Sequence, residues 1–235
     1  MFKVSRIAVW AALVAALAAS QALAQSSCSS DGEARPVALL ERFINADCES
    51  CWSDPATPKP EPGTLALDWI VPGSKGNDAP LSAAASRDGL ARLQALHKPA
   101  PSAAESVQSK SARTGRRLRV AHGLAFNGYI GASIELKPGG GGPWQAWLAL
   151  VETIPAGAEG TPLERNLVRN LLRQDWDRPR ALSRQERRKL FDSRAMNIPE
   201  GAQPSRLRVV GWVEDAAGHI KTIAQSRCDA PSDKG

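Results

Sequence analysis

Tyrosine occurs once in the 235 residues, methionine twice, histidine three times and cysteine four times. His97, His122 and His219 stand far apart and share no ligand spacing with each other or with the cysteines, which argues against a metal centre. No G-x-S-x-G, H-E-x-x-H or phosphate-cradling glycine loop is present, so the common hydrolase, zinc-protease and nucleotide-binding signatures are excluded and no cofactor is expected. The apolar run Ile7 to Ala19 stops after 13 residues, short of the about 20 that a membrane-spanning helix needs. The excess of 30 basic over 24 acidic residues gives a net charge of +6, too small for a nucleic-acid footprint.

What is present begins with an export pattern. Lys3 and Arg6 precede the apolar run, and Ala22-Leu23-Ala24 supplies the small-x-small pattern of a signal-peptidase site. Residues 1–24 read as a signal peptide and Gln25 as the mature start, with a periplasmic or secreted destination. Export permits disulfides, and position divides the cysteines into two pairs. Cys48 and Cys51 are local partners, while Cys28 and Cys228 stand near the two ends of the mature chain, which often lie close together. Of three connectivities, 28 to 228 with 48 to 51 is the expected one.

The chain divides by composition near residue 98. Residues 36–44 and Thr64–Val71 read as strands, with Pro55, Pro58, Pro60 and Pro62 between them forbidding a long helix. Leu90, Leu93 and Leu96 fall at helical spacing in 86–97. Residues 98–115, poor in large apolar side chains, read as a linker. Beyond it, 117–121, 129–136, 144–152, 206–214 and 219–226 read as strands, with Gly139 to Gly142 and Asp215 to Gly218 as hairpin-like connections. Thr161-Pro162-Leu163-Glu164 is a capping box, and Leu163, Leu167 and Leu171 make a stripe of period near four, so local rules predict a helix over 162–173. A second box, Ser183 with Glu186, opens a shorter predicted helix over 183–191; its basic run Arg184 to Lys189 reads as a solvated face. Trp144 and Trp147, three apart, read as core anchors rather than a stacking surface for a ligand.

Val37 to Cys51, Leu65 to Val71, Trp147 to Glu152, Arg165-Asn166-Leu167-Val168-Arg169 and Leu207 to Asp215 together resemble a family of secreted bacterial proteins of unknown function. Its members join a thioredoxin-like segment bearing a C-x-x-C motif to a C-terminal β-domain. The resemblance implies an α+β fold: a reduced thioredoxin-like segment over 25–97, the linker, a small antiparallel β-sandwich-like domain over 116–228, and a tail over 229–235. It also implies a strand at Asn166 to Arg169, which leaves helix and strand both open over 162–173. The chain departs from the pattern after Cys51, where Trp52-Ser53-Asp54-Pro55 replaces Pro-Pro-Ala-Asp. It also lacks a convincing counterpart of the proline opposite the cysteines, Ala79-Pro80 lying before the helix instead of after it.

A reactive thiolate needs a helix N-terminus or a nearby cation to lower its pKa, whereas Asp47 and Glu49 flank Cys48 with negative charge. The leading expectation is a non-catalytic binding or assembly module acting on an unknown protein partner. The alternative is a thiol-disulfide oxidoreductase with Cys48 as nucleophile and Cys51 as resolving thiol.

Overall fold

The computed structural model describes residues 28–112, 114–139, 141–176 and 189–228. The expected signal peptide, the C-terminal tail and most of the predicted 183–191 helix lie outside these residues.

Apolar alternation of period two dominates the described chain, and the fold follows it. Among the described residues twelve strands form two sheets. The larger has the order β11 (Ile220–Gln225), β10 (Leu207–Glu214), β7 (Trp144–Ile154), β8 (Arg165–Trp176), β3 (Thr64–Val71), β2 (Ala38–Asn45), β4 (Ala104–Lys110). The smaller has the order β12 (Arg227–Cys228), β1 (Cys28–Ser29), β5 (Arg117–Phe126), β6 (Tyr129–Lys137), β9 (Leu190–Asn197). Pairing is antiparallel except for β2 with β3 and β3 with β8. Among the described residues two α-helices, α1 (Glu49–Trp52) and α2 (Arg87–Ala95), complete the main elements.

The expected α+β class is therefore corrected: among the described residues 49% are strand and 12% helix, and the two sheets make a β-sandwich-like fold. Three local causes account for it. The proline-rich crossover leaves α1 a single turn. Residues 98–115, read as a linker, contain β4, which pairs with β2 along its length. Residues 162–173 enter β8, paired with β7 from Ile154↔Arg165 to Trp144↔Trp176. The capping-box threonine is used, but as a turn: the Leu163 N–H donates to Thr161 Oγ1 at 3.4 Å, and the chain then extends. Eleven ladder pairs with β7 outweigh a helix-like pattern whose apolar stripe would have faced the same core.

Strands from both sides of the expected boundary near residue 98 share the larger sheet. Leu118, Val120, Ile134 and Leu136 of the smaller sheet pack on Leu148, Leu150, Val209 and Ala224 of the larger to form the core between sheets. Gly211 sits at the closest approach, since a Cβ there would come within 2.6 Å of Val120 Cγ1. The run Gly139 to Gly142, expected as a hairpin, instead carries the chain from β6 in one sheet to β7 in the other. Asp215 to Gly218 does join the antiparallel β10 and β11.

The other face of the larger sheet wraps α2. Ser86 caps this helix, its Oγ accepting from the Asp88 N–H at 3.0 Å, and Leu93 packs against Trp69, Phe43, Trp147 and Trp212. Arg92 lies among them, bidentate on Glu41 of β2 with both distances 2.8 Å. Its Nη1 also lies 2.8 Å from Glu214 Oε1 of β10, an ion-pair contact rather than a well-aimed hydrogen bond. Four strand steps separate β2 from β10, so a flat sheet would hold them about 19 Å apart. One guanidinium touching both means that the sheet curls round the helix. The curl nearly closes: the Ala112 N–H just beyond β4 donates to Ile220 O of β11 at 2.8 Å, and Thr114 Oγ1 donates to Lys221 O at 3.2 Å.

Candidate functional site

β2 runs straight into the cysteine corner. Cys48 stands at the N-cap of α1 with no side-chain cap, Cys51 lies within the helix, and the two form a disulfide whose sulfur-bearing residues are both half-buried. Cys28 and Cys228, on β1 and β12, form the second bridge. The structure thus joins all four cysteines in the pairs expected, and bridges of this kind fit an oxidising environment.

Two acidic residues, Asp47 and Glu49, flank Cys48. The Asp47 carboxylate accepts from Ser74 Oγ and the Ser74 N–H, both at 2.8 Å, and from the Lys75 N–H. The Ser74 hydroxyl bond outweighs partial desolvation and, with the backbone donors, holds Asp47 below the usual carboxylate range. Gly73 makes this embrace feasible, since a Cβ there would lie 2.3 Å from Asp47 Oδ1. A single turn of helix adds little positive potential at Cys48. The Cys48 sulfur lies 3.7 Å from Ser50 Oγ, a weak contact.

The corner's cation serves the backbone. Arg165, the first residue of β8, donates through Nη2 to Trp52 O at 2.7 Å and to Cys51 O at 3.4 Å. These are carbonyls that a one-turn helix leaves open. Its guanidinium lies 5.0 Å from the Trp52 ring centroid, and Trp52 Nε1 donates to Glu159 O at 2.8 Å. Arg165 Nη1 pairs at 3.0 Å with Asp68, whose other oxygen takes Arg42 Nη2 at 2.6 Å and the Asn166 N–H at 2.8 Å. Arg42 and Asp68 are register partners on the parallel strands β2 and β3. Arg42 also donates to Pro58 O at 3.1 Å, pinning the proline-rich crossover. All three side chains are buried; burial pulls the Arg165 guanidinium below its ordinary value while Asp68 opposes the change.

The sequence reading passed over Asp68, Arg165, Arg92, Glu41 and Glu214. A usable signal exists in Asp68 within Leu-Ala-Leu-Asp-Trp-Ile-Val and in Glu41-Arg42 within Leu-Leu-Glu-Arg-Phe-Ile: a charge inside a fully apolar strand has to be paired.

At the opposite end of β7 a cleft of about 640 Å³ opens at the mouth of the curled sheet. It is lined by Leu96, His97, Trp144, Arg173, Asp175 and Asp215 among others, with buried Glu214 also in its lining. Glu214 is already engaged by Trp147 Nε1 at 2.9 Å, by Trp212 Nε1 at 3.1 Å and by Arg92. Arg173 covers one face of Trp147 at 5.4 Å and Arg116 lies 4.5 Å from the Trp144 centroid. Both indoles are buried, as expected of core anchors.

No family model, curated protein or solved structure matches the chain.

His122, on β5 opposite Cys28, has a ring nitrogen within 4.8 Å of the two bridged sulfurs, and its Nδ1 lies 2.8 Å from Gly123 O. The sulfurs are bonded to each other, so the trio offers no thiolate to a metal. Burial lowers the His122 pKa below the ordinary value, against a raising effect from the Gly123 carbonyl. The unfolded chain then binds a proton more readily than the folded one. The stability this ring contributes is complete above about pH 6.5 and is lost as pH falls through the lower folded value. Urea midpoints at pH 7.5 and pH 5 should therefore differ in favour of pH 7.5, and His122→Gln should reduce the difference; an unchanged difference would assign the acid sensitivity elsewhere.

Among the described residues no helix is long and apolar enough to cross a membrane.

Proposed function

We propose that this chain is an exported, non-catalytic binding or assembly module in which Cys48–Cys51 is a structural closure. The observation that carries the reading is the assignment of charges at the corner: Asp47 is ionised beside Cys48, α1 is one turn, and Arg165 is committed to carbonyls and to Asp68. A thiolate at Cys48 would gain no stabilisation there, so the dithiol is disfavoured as a leaving or attacking group. Membership of the secreted C-x-x-C family is part of the same proposal, supported by β2 running into Cys48 and by a parallel β3 following the crossover. A periplasmic or secreted location, with residues 1–24 as the export signal, is supported by the two bridges.

The competing reading, a thiol-disulfide oxidoreductase, draws on one observation: both sulfur-bearing residues of the corner are partly accessible. Equilibrating the protein with glutathione buffers and measuring alkylated fractions by mass spectrometry decides between them. A potential for the Cys48–Cys51 pair below about −300 mV is expected, and one above about −230 mV would establish a labile, catalyst-like bridge. Insulin reduction that is lost on Cys48→Ser would likewise overturn the proposal.

A further inference from the structure

Cys228, Cys28 and His122 stand side by side on three neighbouring strands. Cys28 of β1 is the register partner both of Cys228 on β12 and of His122 on β5, so the three side chains leave the smaller sheet on one face. The two Sγ atoms and a ring nitrogen of His122 all lie within 4.8 Å of one another. Among the described residues no other group of three His, Cys, Asp or Glu side chains brings its donor atoms together in this way. Cys28 and His122 are buried, at 3% and 4% exposure, while Cys228 is exposed.

The imidazole is prepared as a ligand. A carbonyl oxygen only accepts, so the 2.8 Å contact with Gly123 O places the ring proton on Nδ1 and leaves the lone pair on Nε2. Gly123 lies where the β5–β6 register shifts between His122 and Ala125, a bulge that interrupts ladder pairing beside the ring. Nε2 itself is buried and has no hydrogen-bond partner among the described residues. A buried nitrogen left in that state is uncommon and calls for a cause. A metal-binding histidine supplies one, since it donates one N–H to a backbone carbonyl and keeps its other nitrogen for the ion. Burial lowers the pKa of this ring and so keeps it neutral at pH 7.

Reduction of the bridge turns the trio into a donor set. A dithiol reductant attacks the Cys28–Cys228 bond, passes two electrons and two protons to the two sulfurs, and leaves as its own disulfide. Zn²⁺ then takes both sulfurs as thiolates together with the Nε2 lone pair, and the two thiol protons go to solvent. The pairing of β1 with β5 and with β12 keeps the three side chains adjacent when the sulfur–sulfur bond is gone. Two thiolates and an imidazole suit a borderline-soft cation. Three protein ligands with a fourth position open, here on the exposed Cys228 side, is the ligand count of a zinc site that can still take a small molecule.

We infer that Cys28, Cys228 and His122 form a zinc site in the reduced protein, and that the disulfide is the closed state of that site. This goes beyond the module reading and does not involve Cys48–Cys51. The protein is reduced with a phosphine, freed of reductant and titrated with Co²⁺ as a spectroscopic stand-in for Zn²⁺. A sulfur-to-cobalt charge-transfer band should appear, saturate at one equivalent and disappear when Zn²⁺ is added, whereas the unreduced protein should give no band. Alkylation mapped by mass spectrometry should slow at least tenfold at Cys28 and Cys228 when Zn²⁺ is present and stay unchanged at Cys48 and Cys51. The Co²⁺ concentration at half saturation should rise at least tenfold in His122→Gln, since even the loss of an outer partner of a metal ligand costs about 10–100-fold. Cys228→Ser, at an exposed position, should weaken binding in the same direction and serves if His122→Gln does not fold. The inference is overturned by the absence of a band, by zinc protection that falls on Cys48 and Cys51 instead, or by variants that bind as tightly as the parent. Loss of the near-ultraviolet circular dichroism on reduction that Zn²⁺ does not restore overturns it as well.

Discussion

Arg92→Met is expected to destabilise the protein by about 3–5 kcal/mol, the range for removing one partner of a buried ion pair. The substitution leaves Glu41 and Glu214, both buried, facing each other across the space of the lost guanidinium. It also removes the cation seated 5.0 Å from the Trp147 centroid and 5.1 Å from that of Trp212. The Arg92 pKa is raised above its ordinary value: burial pulls it down, but Glu41 and then Glu214 outweigh burial, so this charge persists at every working pH. The urea midpoint should fall sharply. Arg92→Lys should recover little of it, because a point charge does not reproduce the two parallel bonds to Glu41 and a third contact to Glu214. The triple variant Arg92→Met/Glu41→Gln/Glu214→Gln should be more stable than the single one, since it removes the uncompensated charge. If the single variant loses under about 1 kcal/mol, water reaches the two carboxylates and the curled sheet is not closed on this ion pair.

Asp68→Asn is the second large effect, again about 3–5 kcal/mol, for the opposite reason: it strands two buried guanidinium groups. An amide in that place cannot balance Arg42 and Arg165, and the NH2 group that replaces one carboxylate oxygen is a donor facing either a guanidinium or the Asn166 N–H. The loss should be read locally as well as globally. Arg165 holds the Cys51 and Trp52 carbonyls, so amide hydrogen exchange in α1 should accelerate more than in α2, which hangs from Arg92 on the other face of the sheet. Equal acceleration in both helices would show that the two charge networks fail together, not separately.

Much of the strand pattern was legible because apolar alternation is a short-range signal. Thr64–Val71 is β3 residue for residue, and the helix read from Leu90, Leu93 and Leu96 lies in α2 with Ser86 as its cap. The two disulfides were legible from position and compartment. What failed needed partners distant in sequence. β4 carries Glu105, Val107 and Ser109 on its inner side, too polar to register as a strand until β2 is known to lie beside it. β8 satisfies helix rules locally and is a strand through its ladder with β7. The β5–β6 hairpin is a different failure. Asn127-Gly128 is a strong turn signal, but a strand ended at Ala121 stops short of it, because the bulge breaks the alternation at that point. The charges at the corner were invisible as a group. Arg42, Asp68 and Arg165 are spread over 124 positions of chain and meet only through the parallel register of β2 with β3 and the single β3–β8 pair Asp68↔Leu167.

The Cys28–Cys228 bridge has a mechanical consequence. It joins residues 200 positions apart on two neighbouring strands at one edge of the smaller sheet, so the polypeptide between them is a covalent ring. Tension applied between the segment entering at Cys28 and the one leaving at Cys228 passes through two side chains and one sulfur–sulfur bond, bypassing every hydrogen bond of both sheets. Pulled from its ends, the oxidised protein should lengthen by little more than its flanking segments, while the reduced protein should yield the full contour of the intervening chain.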